Sequence, residues 1–186
     1  MAAKDAQHST RARAAQSECL SSVELAERLD EEVHRAARQG TQLSCLLVSL
    51  DEVGRLSQNY GQDLPGQALA YLAKALIRQL RRFDRVGRAG DSELLVILPG
   101  ADERRGEIVA RRALGRLHSV KVEVEGRREA LRISVGIAAW REGLQGAELV
   151  SQTRLAAQRR DFQDVPLNSG FERTADDARE LPLRPS

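Results

Sequence analysis

The hydrophobic residues between Ser21 and Gly40 recur at intervals of three to four positions, which is typical of one face of an amphipathic helix. The apolar positions of this face are Val23, Ala26, Leu29, Val33 and Ala37. Ser21 before the pattern and Gly40 after it are residue types that commonly cap a helix, so a first helix is predicted between them. The next segment, Leu43–Leu50 (LSCLLVSL), is short and almost continuously apolar. Such a run predicts a central strand that is buried on both faces.

The middle of the chain is predicted to contain a loop, a helix, a hairpin and another helix. Residues 57–66 include two glycines and a proline and are interpreted as the loop. Residues 67–83 carry a helical apolar stripe. The stripe consists of Leu69, Leu72, Ala73, Leu76 and Leu80. Residues 81–100 (RRFDRVGRAGDSELLVILPG) indicate a hairpin with a strongly apolar second strand, and residues 102–118 indicate a third helix despite two internal glycines.

The last third of the structured region is predicted to be a second hairpin followed by a helix over residues 146–158. The hairpin is indicated by apolar and polar residues that alternate on both sides of a glycine-containing turn. Its apolar positions are Val120, Val122, Val124, Leu131, Ile133, Val135 and Ile137. The resulting order of elements predicts an α+β domain, in which helices flank a central sheet that is mixed but mostly antiparallel.

A length of 186 residues suits one domain with tails. Residues 1–20 are rich in Ala, Arg and Ser without periodicity, and residues 163–186 lack any apolar pattern. Both segments are therefore predicted to be flexible, as an N-terminal arm and a C-terminal tail around a domain of residues 21–162.

Charge and cysteine content exclude several classes of protein. The 29 basic and 27 acidic residues give a net charge of only +2, which argues against a general nucleic-acid binder. The sequence contains neither an apolar leader nor a run of 18 apolar residues, so no membrane association is expected. Two cysteines, Cys19 and Cys45, are too few for a zinc site and suit the reducing cytoplasm, where we expect the protein to reside.

Three segments of the chain carry motifs of a known family: LLVSLDEVGRLSQNYGQDLPGQALAYLA, RRFDRVGRAGDSELLVILP and LRISVGIA. They resemble the GGDEF domain of bacterial diguanylate cyclases, and the resemblance covers about residues 21–158. The first is similar to the family's Asp-x-Asp strand with its Asn-Asp loop and helix, the second to its signature hairpin and the third to its Ser-x-Gly strand. The resemblance implies a palm-like fold and a relation to enzymes that join two GTP molecules into cyclic di-GMP.

The chain differs from this family at the positions that the resemblance assigns to catalysis. Residues 90–94 (GDSEL) occupy the signature, and Ser92 stands where the family has a metal-binding Asp or Glu. Ser49 stands at the other metal-binding carboxylate, and Ser57 and Gly66 at the positions that bind the guanine of the substrate. Because Mg²⁺ is held by anionic oxygens, a serine hydroxyl is a poor substitute. The chain is therefore predicted to be catalytically inactive and to need no metal cofactor.

The resemblance also implies that the chain retains a second nucleotide site of the family, the inhibitory site. Arg81-x-x-Asp84 has the family's spacing before the signature, and Arg112 falls where a further arginine completes the site. A guanidinium can donate two parallel hydrogen bonds to guanine O6 and N7, and a carboxylate can accept from the guanine N1 and N2 donors. The alternative interpretation of Arg81 and Asp84 is an ordinary surface ion pair at the end of a helix.

The sequence therefore predicts an inactive GGDEF-like domain that acts as a cyclic di-GMP receptor through Arg81, Asp84 and Arg112. We expect it to regulate a protein partner of unknown identity, and a ligand-linked homodimer is possible. Two alternatives stay open: an interaction module that has lost both nucleotide sites, and a weak diguanylate cyclase with a rewired site.

Overall fold

The computed structural model of the chain describes residues 19–117, 121–124 and 127–159. In this part the helices are α1 (Ser22–Gln39), α2 (Val53–Tyr60), α3 (Leu64–Ile77), α4 (Glu103–Leu117) and α5 (Gly146–Gln158). The strands are β1 (Cys19–Leu20), β2 (Leu43–Leu50), β3 (Arg85–Gly90), β4 (Glu93–Pro99), β5 (Lys121–Val124), β6 (Arg127–Ala130) and β7 (Ile133–Ala139).

Five of the strands form one sheet in the order β1-β3-β4-β2-β7, and β5 and β6 form a separate ribbon. Strand β1 pairs with β3 in parallel, whereas the other neighbours in the large sheet are antiparallel. The predicted α+β architecture, with helices flanking a mixed and mostly antiparallel sheet, is confirmed.

Strand β2 lies between β4 and β7, as its continuous apolar run predicts. Leu46, Val48 and Leu50 face the core under α3 and α4, and the alternate residues face the core under α1 and α5. Cys45 is one of these alternate residues, and complete burial raises the pKa of its thiol. It therefore packs as a small hydrophobic residue.

The predicted bounds of the first helix agree with α1, but the predicted buried face was correct only at Leu29 and Val33. Ser21 and Glu24 form a reciprocal capping box at the start of the helix, and Gly40 ends it with a left-handed φ of 62°. The residues that are buried are Leu25, Leu29, Glu32, Val33 and Ala36. Val23 is 65% exposed because the helix is rotated to place the row with two leucines against the sheet.

The predicted loop at residues 57–66 was also wrong, because helix α2 ends at Tyr60 and α3 starts at Leu64. Only Leu56 of α2 is buried, so this helix has no apolar stripe long enough to be recognised. It also begins in an unusual way. Glu52 adopts a left-handed φ of 56°, and its carboxylate is held by Arg55 at 2.8 Å and Arg132 at 3.0 Å.

The predicted second hairpin was wrong, because its two predicted strands belong to different sheets. Strand β5 pairs with β6 (Arg127–Ala130), whereas β7 joins the large sheet beside β2. Alternation continues through Leu131 and Ile133, so the sequence pattern does not mark the change of partner. The predicted position Val120 lies outside the described residues.

The described part of the chain starts at Cys19, within the predicted N-terminal arm, and Cys19 and Leu20 pair with Val86 and Gly87 of β3. A Cβ atom at Gly87 would lie only 2.9 Å from the Leu20 Cβ, so glycine allows this close approach. Residues 1–18 of the predicted arm, the whole predicted tail (163–186) and residues 160–162 of the predicted domain lie outside the described residues. Within the described ranges, no helix combines the length and the apolar character needed to span a bilayer.

Candidate functional site

Residues 81–84 form a turn between α3 and β3, so the predicted helix over residues 67–83 was wrong at its end, because α3 stops at Ile77. The Asp84 backbone N–H donates to the Arg81 carbonyl at 3.1 Å, and the Arg81 backbone N–H donates to Asp84 Oδ2 at 2.8 Å. Arg85 Nη1 donates to the carbonyls of Arg82 at 2.7 Å and Asp84 at 2.9 Å. Together these hydrogen bonds stabilise the turn, and the bond from the Arg81 N–H fixes the position of the Asp84 carboxylate.

The structure brings Arg81, Asp84 and Arg112 to the same small cleft of about 100 Å³. Arg112 comes from α4, and Arg105 of the same helix also lines the cleft. The remaining wall is largely apolar and is formed by Leu98, Pro99, Ala101, Ile108 and Val109. We call this cleft the arginine groove.

A larger cleft of about 410 Å³ lies against the same turn. Arg81 and Asp84 line both clefts, while Arg82 and Arg85 line only the larger one. Its apolar side is formed by Leu20, Ile77, Leu80 and Val86. No sequence pattern indicated this cleft, because its wall depends on β1 and β3 lying side by side.

Burial raises the pKa of Asp84, against the opposing effects of the bond from the Arg81 N–H and the charges of Arg81 and Arg85. The ionised carboxylate has thus lost part of its hydration without full compensation. A ligand that donates N–H hydrogen bonds to this carboxylate would replace the hydrogen bonds that water makes to an exposed carboxylate.

A second polar pocket, of about 230 Å³, lies at the other end of the β3–β4 hairpin. Ser49 of β2 is the register partner of Glu93 on β4 and of Ser134 on β7, so these three residues form a row across the sheet. Asp51, Arg154 and Gln158 complete the polar lining. We call this pocket the Ser49 pocket.

Both carboxylates of the Ser49 pocket already have partners. Ser134 Oγ donates to the two oxygens of Asp51 at 2.8 and 3.0 Å. Arg154 Nε lies 3.0 Å from each oxygen of Glu93, and Arg154 Nη2 lies 2.6 Å from Oε2. This pairing raises the pKa of the Arg154 guanidinium, chiefly through the hydrogen bonds to Glu93.

Ser92 and Asp91 occupy the turn of the hairpin, where the Ser92 carbonyl accepts from the Leu50 N–H at 2.8 Å and Asp91 is exposed. Among the residues that the structure describes, no three His, Cys, Asp or Glu side chains converge on a possible metal position. Sequence reasoning missed Arg154, because the residue lies in an ordinary helix and its partner Glu93 is 61 positions away.

The comparisons with known proteins agree on one family. The family model described as "Diguanylate cyclase, GGDEF domain" matches residues 21–161. Diguanylate cyclase DgcP of Pseudomonas aeruginosa is 29% identical over 126 residues, which are 68% of this chain and 19% of DgcP. The chain thus spans about a fifth of the length of that relative.

Solved structures show the same fold. Diguanylate cyclase SiaD of Pseudomonas aeruginosa, in complex with its activator SiaC, superposes with a TM-score of 0.73 at 23% identity, over 84% of this chain and 64% of SiaD. The GGDEF domain of DgcB from Caulobacter crescentus, in complex with c-di-GMP, gives a TM-score of 0.70 at 17% identity, over 76% of this chain and 82% of that one.

Proposed function

The chain belongs to the GGDEF family of diguanylate cyclase domains, and from this we propose that it is a catalytically inactive member that acts as a cyclic di-GMP receptor. Arg81, Asp84 and Arg112 bind the ligand in the arginine groove. The observation that carries this proposal is that these residues, from a turn and a separate helix, line one cleft that holds a half-buried carboxylate.

The chemistry of the arginine groove suits guanine. Arg81 offers parallel N–H donors to O6 and N7, and the Asp84 carboxylate accepts from N1 and N2. Asp84 Oδ2 takes one hydrogen bond from the Arg81 backbone, and each carboxylate oxygen can accept more than one. The apolar wall of the groove suits the face of the base, and Arg105 and Arg112 suit a phosphate.

Loss of catalysis is supported by the Ser49 pocket. Cyclisation needs metal ions that activate a hydroxyl and neutralise charge on a triphosphate. The donors at the two expected positions are the hydroxyls of Ser49 and Ser92. The nearby carboxylates of Asp51 and Glu93 are bound by Ser134 and Arg154. This donor set does not fit a Mg²⁺ site, which calls for several anionic oxygens.

The size of the arginine groove supports a ligand that is only partly enclosed. A volume of about 100 Å³ is well below the roughly 300–1,000 Å³ of sites that enclose a small molecule. Phe83, which is 70% exposed, belongs to the turn that carries Arg81 and Asp84, and Ile108, which is 50% exposed, lines the groove. We infer that the uncovered side of the ligand and these apolar side chains meet a protein partner or a second copy of the chain.

Isothermal titration calorimetry with cyclic di-GMP tests this function on the wild type, Arg81→Ala and Arg112→Ala. The wild type should bind at micromolar ligand, and each replacement should weaken binding about tenfold or more, because a charge-assisted hydrogen bond is lost. Arg78→Ala is the matched control, since Arg78 is an exposed arginine at the end of α3 that lines neither cleft. It should leave the affinity unchanged.

Two results would overturn the proposal in different directions. Absence of binding at roughly 50 µM ligand, or binding that ignores Arg81, would favour an interaction module without nucleotide sites. Formation of a product from GTP with Mg²⁺ or Mn²⁺, abolished by Glu93→Gln, would identify a weak cyclase.

A further inference from the structure

The position of Arg154 follows from an unusually close approach of α5 to the sheet. A Cβ atom added to Gly136 of β7 would overlap the backbone of Thr153 and Ala157 in α5. Glycine at this position therefore lets the helix lie directly on the strand. One result of this packing is that Arg154 reaches across the end of the sheet into the Ser49 pocket.

The bond between Arg154 and Glu93 differs from an ordinary surface ion pair. The Glu93 side chain is only 17% exposed, and two nitrogens of the guanidinium contact its carboxylate. Arg154 Nη2 also lies 3.4 Å from the Ala89 carbonyl, which fixes the plane of the guanidinium. A carboxylate with so little exposure needs a counter-charge, and Arg154 provides it.

We propose that Arg154 is a tethered cation that takes the place of a divalent metal ion in the Ser49 pocket. Asp51 and Glu93 contribute two negative charges and Arg154 one positive charge, so the net charge of the pocket is −1. Without Arg154 it is −2, which suits a divalent cation. A metal ion and the guanidinium compete for the same oxygens of Glu93, and the covalently attached group is always present.

This inference concerns a different pocket from the ligand groove and holds whether or not cyclic di-GMP binds at Arg81. Its consequence is that the negative charge of the Ser49 pocket is partly compensated without Mg²⁺, although the pocket keeps two acidic side chains. Arg154 is a charge-compensating residue in this account and has no role in a reaction.

Electron paramagnetic resonance of free Mn²⁺ tests the proposal. Arg154→Met and Arg154→Gln remove the charge in two ways, so a folding failure of one, seen by circular dichroism, leaves the other usable. Each folded neutral variant should take up about one Mn²⁺ per chain, about tenfold or more tightly than the wild type. Adding Glu93→Gln to either variant should abolish this gain.

Arg154→Lys keeps the charge, and Arg159→Met removes an arginine beyond the end of the same helix, so neither should bind Mn²⁺ better than the wild type. The proposal is overturned if the folded neutral variants gain no affinity. It is equally overturned if Mn²⁺ raises the melting temperature of the wild type and Glu93→Gln removes that rise, because the pocket would then accept a metal beside Arg154.

Discussion

The Asp84 carboxylate has a structural role and a proposed binding role. It accepts the Arg81 backbone N–H at 2.8 Å and so closes the turn, and it lines both clefts beside that turn. Partial burial makes its ionised form less stable than in water. The two roles predict different responses to pH and to replacement by asparagine.

Binding of cyclic di-GMP should weaken as the pH falls through the raised pKa of Asp84. The guanine N–H donors favour the carboxylate, so binding lowers the pKa of Asp84 and releases a proton in the interval between its free and bound values. Well above that interval the affinity should be constant. Calorimetry at several pH values between about 4 and 7 measures this dependence. If the affinity of the Asp84→Asn variant fell by the same factor over this pH range, the pH dependence would belong to another group.

The Asp84→Asn variant should bind cyclic di-GMP weakly and yet be at least as stable as the wild type at neutral pH. The amide oxygen can accept the same bond from Arg81, and the half-buried charge is removed. Because the pKa of Asp84 is higher in the folded protein than its ordinary value, the wild type loses stability as the pH rises through that pKa. The advantage of the variant should therefore disappear at acidic pH in thermal unfolding, and a lower melting temperature at neutral pH would contradict this account.

The packing of α5 on β7 determines the geometry of the Ser49 pocket. Ser134 of β7 holds Asp51, and Gly136 two residues later allows α5 to approach. The Ser-x-Gly pattern was visible in the sequence as part of a resemblance. The structure shows the physical reason for the pattern: the serine donates a hydrogen bond to Asp51, and the glycine allows α5 to pack closely.

Replacing Gly136 by Ala should lower the free energy of unfolding by about 1–3 kcal/mol, because the added methyl group pushes α5 away from the sheet. Gly66→Ala is the matched control. It lies inside α3 with no atom within 4 Å of the added Cβ, so it should raise stability by about 0.5–1 kcal/mol. Urea unfolding measures both changes, and equal effects of the two replacements would refute the close-packing argument.

The elements that were predicted with correct bounds are those in which one apolar pattern fills the whole element. Strand β2 and helix α5 were predicted at 43–50 and 146–158, as observed. Helix α2 was missed because it buries a single residue, Leu56. Strands β6 and β7 were merged because local alternation does not report that β6 pairs with the adjacent β5, whereas β7 pairs with the distant β2.

The arginine groove and the Ser49 pocket lie at opposite ends of the β3–β4 hairpin. Strand β3 has six residues between the turn at 81–84 and the Ser49 pocket, which separates the two by about 20 Å. A ligand in the arginine groove therefore does not reach Glu93 or Arg154. Arg81, Asp84 and Arg112 were named from spacing and resemblance, whereas the other residues that line the groove, the larger cleft and Arg154 depend on tertiary packing.

The most direct test of the central proposal is a titration of the ¹⁵N-labelled protein with cyclic di-GMP, followed by amide chemical shifts. We expect shift changes in residues 79–84 and 105–112, the two segments that contain most of the groove-lining residues, and in the neighbouring part of β3. The amides of Ser49, Glu93 and Arg154 should stay where they are. Shifts confined to the Ser49 pocket, or no shifts at all with excess ligand, would contradict a receptor that binds through Arg81, Asp84 and Arg112.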